Sequence, residues 1–134
     1  MFSKTNLVST LVVAVWAYFG GYLLWEIIGA SLFSNPMDSS ADQVHLIIAC
    51  VISAFAFSSI YSKLSGAASA THGLQYGIWA GIFIGFGERW FDYAFASEPV
   101  MNDAIIGGVL NIVFFMVAGA LAGIVYQKLG SSAA

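Results

Sequence analysis

The sequence predicts an all-α membrane protein, a four-helix bundle of integral membrane type. Three observations carry that expectation. Of 134 residues, 60% are hydrophobic and only 8% charged, against roughly 25% charged in a soluble domain. Four apolar stretches take up most of the length, each about 20 residues or more, enough to cross a ~30 Å hydrocarbon core at 1.5 Å per residue. Glycines recur at every fourth position of the third stretch, at Gly73, Gly77, Gly81 and Gly85. Such a stripe lies on one helix face and lets a neighbouring backbone approach closely.

The elements follow in order. The first helix is expected over 6–33. It is longer than the ~7–15-residue apolar core of a signal peptide and carries Glu26 inside it. Asn35-Pro36 ends it, because proline cannot continue a helix. Ser39, Ser40 and Asp42 are candidate caps for a second helix over 44–64. Ser65 to Thr71 reads as a small-residue loop. The third helix is expected over 73–96 and ends before Glu98-Pro99. Asn102 or Asp103 caps a fourth over 104–128, and the tail from Gly130 to Ala134 frays. Residues 1–134 form one transmembrane domain, with no segment left over for a soluble one. Paired glycines, Gly20-Gly21 and Gly107-Gly108, occur in dissimilar surroundings and give no clear repeat.

Short connections make successive helices antiparallel. Lys4, Lys63 and Lys128 then fall at one end, while the loops at the other end hold acids and no Lys or Arg. The positive-inside rule places both termini in the cytoplasm and fits a multi-pass protein of the bacterial inner membrane.

The glycine stripe expects a partner surface. Gly119 and Gly123, beside Ala118 and Ala122 in the fourth helix, provide one. Packing is the plain reading; a sliding surface or a contact to another subunit is the alternative.

Polar groups gather in the outer half. Counted from the helix ends at 1.5 Å per residue, Glu26 and Glu88 lie ~12 Å deep, Arg89 and Asn111 ~10 Å, and Asp92 ~6 Å. His45 stands at the outer mouth of the second helix. Ionisable groups at such depth usually face protein or water. Arg89 and Asp92 are three apart on one helix face, and Glu26 is the cross-helix candidate for Arg89. Three acids facing one arginine leave two charges unmatched. At least one acid is therefore expected to be protonated, water-exposed, or matched by a cation or partner group. The site is either a proton- or cation-binding centre or a buried ion pair that fixes packing.

No zinc-type ligand set is evident, since zinc prefers His and Cys. Cys50 is alone and apolar-flanked, and His72 is expected in an interfacial loop. No catalytic set, phosphate loop or nucleic-acid patch appears. Trp25, Trp90, Phe91, Tyr93 and Phe95 mark one membrane boundary and Tyr61, Tyr76 and Tyr126 the other. No cofactor is expected beyond bound lipid.

Several segments are familiar: Ala54 to Lys63 closing the second helix, Gly73-Leu74-Gln75-Tyr76-Gly77-Ile78-Trp79-Ala80-Gly81, and Gly119-Ala120-Leu121-Ala122-Gly123-Ile124-Val125-Tyr126. This succession resembles small uncharacterised bacterial four-helix inner-membrane proteins, a resemblance that implies no activity. Trp25-Glu26-Ile27-Ile28-Gly29 is similar to the first helix of small multidrug-resistance transporters. That implies a proton-exchanging carboxylate at Glu26, although Glu26 lies late in its helix and the Glu88, Arg89, Asp92 group is foreign to that family. The functional expectation is a non-catalytic structural or accessory subunit of a membrane assembly, or a homo-oligomer. The alternative is a small proton- or cation-coupled transporter or channel. The partners expected are the lipid bilayer and other membrane subunits or copies of the chain, not nucleic acid.

Overall fold

The computed structural model of the chain describes residues 2–34, 42–64 and 66–130. The described residues form four helical rods and no strand. The first, α1, runs Lys4–Ser31. It is α-helical over Lys4–Gly21, π-helical over Tyr22–Ile28 and 3₁₀ over Gly29–Ser31. The second, α2, spans Gln43–Lys63. The third, α3, covers 70–95 as an α-helix Ala70–Ala80, a π-helix Gly81–Gly87 and an α-helix Glu88–Phe95. The fourth, α4, spans Met101–Leu129.

Local chemistry explains the starts. Ser3 caps α1 by accepting from the backbone N–H of Asn6. Asp42 caps α2, accepting from Val44 and His45, and Ser69 caps α3, accepting from His72. These oxygens satisfy N–H groups that the first helical turn leaves without partners. The fourth helix departs from expectation. Its cap is Val100, with no side-chain bond, and Asn102 and Asp103 sit inside the first turn. There Asp103 favours the positive end of the helix dipole, while its Oδ1 accepts from the backbone N–H of Ser34, 2.7 Å away. The proposed break at Asn35-Pro36, the caps Ser39 and Ser40, and the tail after Gly130 lie outside the described residues.

Three rods, α1, α2 and α4, are long and apolar enough to cross a membrane. Four spans are expected, and the third rod is not among these three. At 26 residues, about 39 Å, α3 has the length, but it is not among the rods apolar enough to cross. Thr71, His72 and Gln75 near one end, Glu88, Arg89 and Asp92 near the other, and its glycines between them dilute its apolar character. The chain is thus a helical bundle with three rods fit to cross a membrane and with α3 packed against α4.

Side-chain pairs define the topology. Asn6 Nδ2 donates to Ser59 Oγ and Tyr126 OH donates to Asn6 Oδ1. The α1–α2 and α1–α4 pairs are therefore antiparallel, and Lys4, Lys63 and Lys128 share one end of the bundle. In α3 and α4, Gly73 meets Gly119 and Gly123, Gly77 meets Phe115 and Met116, Gly81 meets Ile112, and Gly85 meets Asn111. The glycine stripe is spent inside the chain, from Gly73 to Gly85 of α3. In lipid, where no hydrophobic effect joins helices, this backbone proximity supplies the dispersion contact that does.

The lysine end is the tightly closed one. Phe57, Tyr61, Tyr76 and Tyr126 stack there, with centroids 4.6 Å apart for Phe57–Tyr76 and 5.5 Å for Tyr61–Tyr126. Tyr76 OH donates to the Phe57 carbonyl at 3.1 Å. An interfacial belt is expected of these tyrosines, but Tyr61 is only 4% exposed, and the rings tie α2, α3 and α4 together. His72, expected in a loop, lies in the first turn of α3 with Nδ1 3.4 Å from Tyr61 OH. Toward the other end, α2 separates from α3. Residues 43–52 of α2 are exposed throughout, save a half-buried Cys50.

Candidate functional site

The far end of the bundle, opposite the lysines, holds the candidate group. The π-helical stretch Gly81–Gly87 delivers α3 into Glu88, Arg89 and Asp92. A π-helix is a rare local winding that is enriched at functional sites, and the π-helical Tyr22–Ile28 of α1 carries Glu26.

Arg89 is half-buried. Its stem lies along α4 at Gly107, where a Cβ would stand 3.2 Å from the Arg89 Nε. Gly107 therefore makes the lane in which the side chain rests. Arg89 and Asp92 together line two hollows. One, about 260 Å³, is bounded by Ile84, Gly85, Glu88, Asn111 and Phe115. The other, about 230 Å³, opens at the far end among Trp25, Phe33, Tyr93, Glu98 and Asp103.

The structure therefore brings Glu88, Arg89, Asp92 and Asn111 to one hollow and leaves two expected members out. Glu26 is exposed and lines neither hollow. No ion pair within 4.0 Å joins Arg89 to Glu26, Glu88 or Asp92 among the described residues. The expected buried pair is thus absent, and Glu26, Glu88 and Asp92 are exposed on this single chain. The physical reason is the glycine contact. It brings α3 against α4 and turns the Arg89 stem toward Gly107, while the carboxylates stay on open surface. His45 is exposed as well and belongs to the cap of α2, its Nδ1 3.3 Å from Asp42 Oδ2. Hydrogen bonding from the His45 backbone, then from its side chain, lowers the Asp42 carboxyl below its ordinary value of 3.8. Asn111 donates from Nδ2 to the Gly107 carbonyl at 2.9 Å, which fixes its amide beneath Gly85. Among the described residues no group of three His, Cys, Asp or Glu is placed to hold a metal ion.

A second polar cluster, in the lysine half, was missed from sequence. Asn6, Ser9 and Ser58 are 1%, 0% and 0% exposed. Ser9 Oγ donates to Ser58 Oγ at 2.9 Å, and Thr10 Oγ1 to the Asn6 carbonyl at 2.8 Å. The signal was present as Asn6, Ser9 and Thr10, spaced three and four apart on one helix face. Its groups are bonded to one another, which marks it as structural. Comparison with known family models, curated proteins and solved structures finds no match. Neither resemblance drawn from the sequence gains support that way.

Proposed function

We propose that this chain is a non-catalytic subunit of a bacterial inner-membrane assembly, joined there to other subunits or to further copies of itself, with both termini cytoplasmic. One observation carries the reading. Glu26, Glu88 and Asp92 are exposed on a single chain, roughly 4–11 Å inside the ends of α1 and α3 at 1.5 Å per residue. Ionisable groups facing acyl chains are costly, and a protein or water-lined surface is where they normally lie. A second subunit against the far half would supply that surface. The glycine stripe does not add to this argument, because α4 already covers it. Purification in gentle detergent with native mass measurement tests the proposal. A species larger than one chain, shrinking in the Glu88→Gln, Asp92→Asn double variant, is expected. A lone chain in every mild detergent, with no partner captured by crosslinking, sinks it.

A second reading, a small proton- or cation-coupled transporter, is favoured by the hollow where Glu88, Asp92 and Asn111 surround Arg89. There Glu88 and Asp92 bind the ion and Arg89 tunes them. Flux in liposomes, lost in Glu88→Gln and Asp92→Asn, distinguishes it. Wild-type vesicles that pass neither protons nor common cations remove it.

A further inference from the structure

The 230 Å³ hollow at the far end holds opposite charges that do not satisfy each other. Arg89 lines it with no acceptor within 4.0 Å among carboxylates of the described residues. A half-buried guanidinium has five donors to satisfy. Asp92, Glu98 and Asp103 line the same space. Asp103 is already engaged by Ser34, whereas Asp92 and Glu98 are exposed. The acids are too dispersed to chelate a metal ion.

Charge and size narrow the occupant. A simple anion on Arg89 would meet the surrounding carboxylates, and a simple cation among the carboxylates would meet Arg89. A molecule carrying both signs a few ångströms apart satisfies each. The volume is below the ~300–1,000 Å³ of pockets for drug-sized ligands, so the occupant is a small head, not a large body. Trp25, Phe33 and Tyr93 wall the space; ring faces attract an ammonium group, and Trp and Tyr favour headgroup depth. Arg89 lies ~9 Å from the end of α3 at Phe95, by 1.5 Å per residue, and a long basic side chain reaches outward from that depth. In a bilayer crossed by α1, α2 and α4, that depth is the headgroup level.

We propose that this hollow binds the headgroup of a zwitterionic aminophospholipid, with phosphate oxygens accepting from Arg89 and the ammonium donating to Asp92 and Glu98. The inference is independent of which way the bundle crosses the membrane, since both leaflets present headgroups. One chain supplies every contact, and Asp92 alone is shared with the assembly reading; a lipid preference lost while the oligomer mass stays unchanged separates the two.

The test uses the full chain, delipidated in mild detergent and then offered phosphatidylethanolamine, phosphatidylglycerol or soluble phosphoethanolamine. Retained molecules are counted by native mass spectrometry. Phosphatidylethanolamine should be retained about tenfold over phosphatidylglycerol, the scale of one charged hydrogen bond. Arg89→Gln should lose both lipids, and the double variant Asp92→Asn, Glu98→Gln should lose only the preference. Should Arg89→Gln fail to fold by circular dichroism, the double variant, altered at exposed positions, still decides. Equal retention of the two lipids by wild type, or a preference unchanged in the double variant, overturns the proposal. Displacement of the lipid by millimolar phosphoethanolamine overturns the lipid source in favour of a free solute; resistance to displacement supports the lipid.

Discussion

The two halves of this bundle solve the membrane problem differently. In the lysine half, polar side chains are buried and bonded: Asn6 to Ser59 and Tyr126, Ser9 to Ser58, Tyr76 to Phe57. In the far half, polar side chains are charged, and Glu26, Glu88 and Asp92 stay exposed without ion-pair partners within 4.0 Å among the described residues. Hydroxyls and amides cost little to bury once paired, and cross-helix bonds in lipid average only ~0.6 kcal/mol each. Carboxylates cost far more to bury, and their pairing must be complete. The lysine half is a finished interior, while the far half leaves its carboxylates on open surface.

The largest effect should come from filling the α3–α4 contact that spans both halves. A Cβ on Gly77 falls on the Phe115 carbonyl and the Met116 Cα, both backbone atoms of α4. No side chain can rotate away, so the helices must part. Overpacking an ordinary core costs about 1–3 kcal/mol, and a clash against rigid backbone should exceed that range. Gly77→Leu is expected to abolish a monodisperse, cooperatively melting species in detergent. Gly81→Leu, where the nearest atom is the Ile112 Cα at 2.7 Å, should weaken it similarly. A Gly77→Leu protein that melts like wild type would mean that α3 and α4 are not packed this closely.

How legible this was depended on period and pairing. Gly73, Gly77, Gly81 and Gly85 announced their contact because a four-residue period on one helix has few other uses, and Gly119 and Gly123 answered it. The three lysines marked one end because loop lengths leave little freedom. The place of Glu26 is not legible, because depth along a helix says nothing of azimuth: it shares a level with Arg89 but lines neither hollow. The π-helical windings at Tyr22–Ile28 and Gly81–Gly87 shift azimuth further, and no residue pattern signals them. The tyrosines were misread because a ring at the interface and a ring tying helices together look alike in one dimension.

Breaking the bonded half comes next in size. Asn6→Ala deprives the Tyr126 and Ser59 hydroxyls of their Asn6 partner in a site where Asn6 is 1% exposed. Groups left unpaired in a buried place cost about 1–3 kcal/mol. Tyr126→Phe removes one hydroxyl and should cost about 0.5–1.5 kcal/mol. Both are read as lowered melting temperatures in one detergent. The corresponding changes in the far half, Glu88→Gln and Asp92→Asn, should stay within about ±0.5 kcal/mol for the single chain, because no bond to those carboxylates is present among the described residues. A larger loss at Glu88 or Asp92 than at Asn6 would reverse the contrast between the halves.

The smallest effect concerns the far end of α2, where Asp42 accepts from the N–H groups of Val44 and His45 at 3.0 and 3.2 Å. Those bonds, that from the His45 backbone foremost, hold its carboxyl below the ordinary 3.8. The folded chain thus binds this proton less tightly than the unfolded chain. The cap stabilises fully above the ordinary value and is lost as pH falls through the lowered one. Because the side chain is exposed, the consequence is local fraying, not global unfolding. Amide exchange of Val44 and His45 in micelles, corrected for its intrinsic pH dependence, should accelerate as the solution drops from about pH 6 to about pH 3. Val13 and Ala54, buried among the helices, should not respond. Asp42→Asn keeps a capping oxygen that does not titrate, so its exchange should stay level across the same range. Acceleration persisting in that variant would assign the fraying to another group and remove the cap from the account.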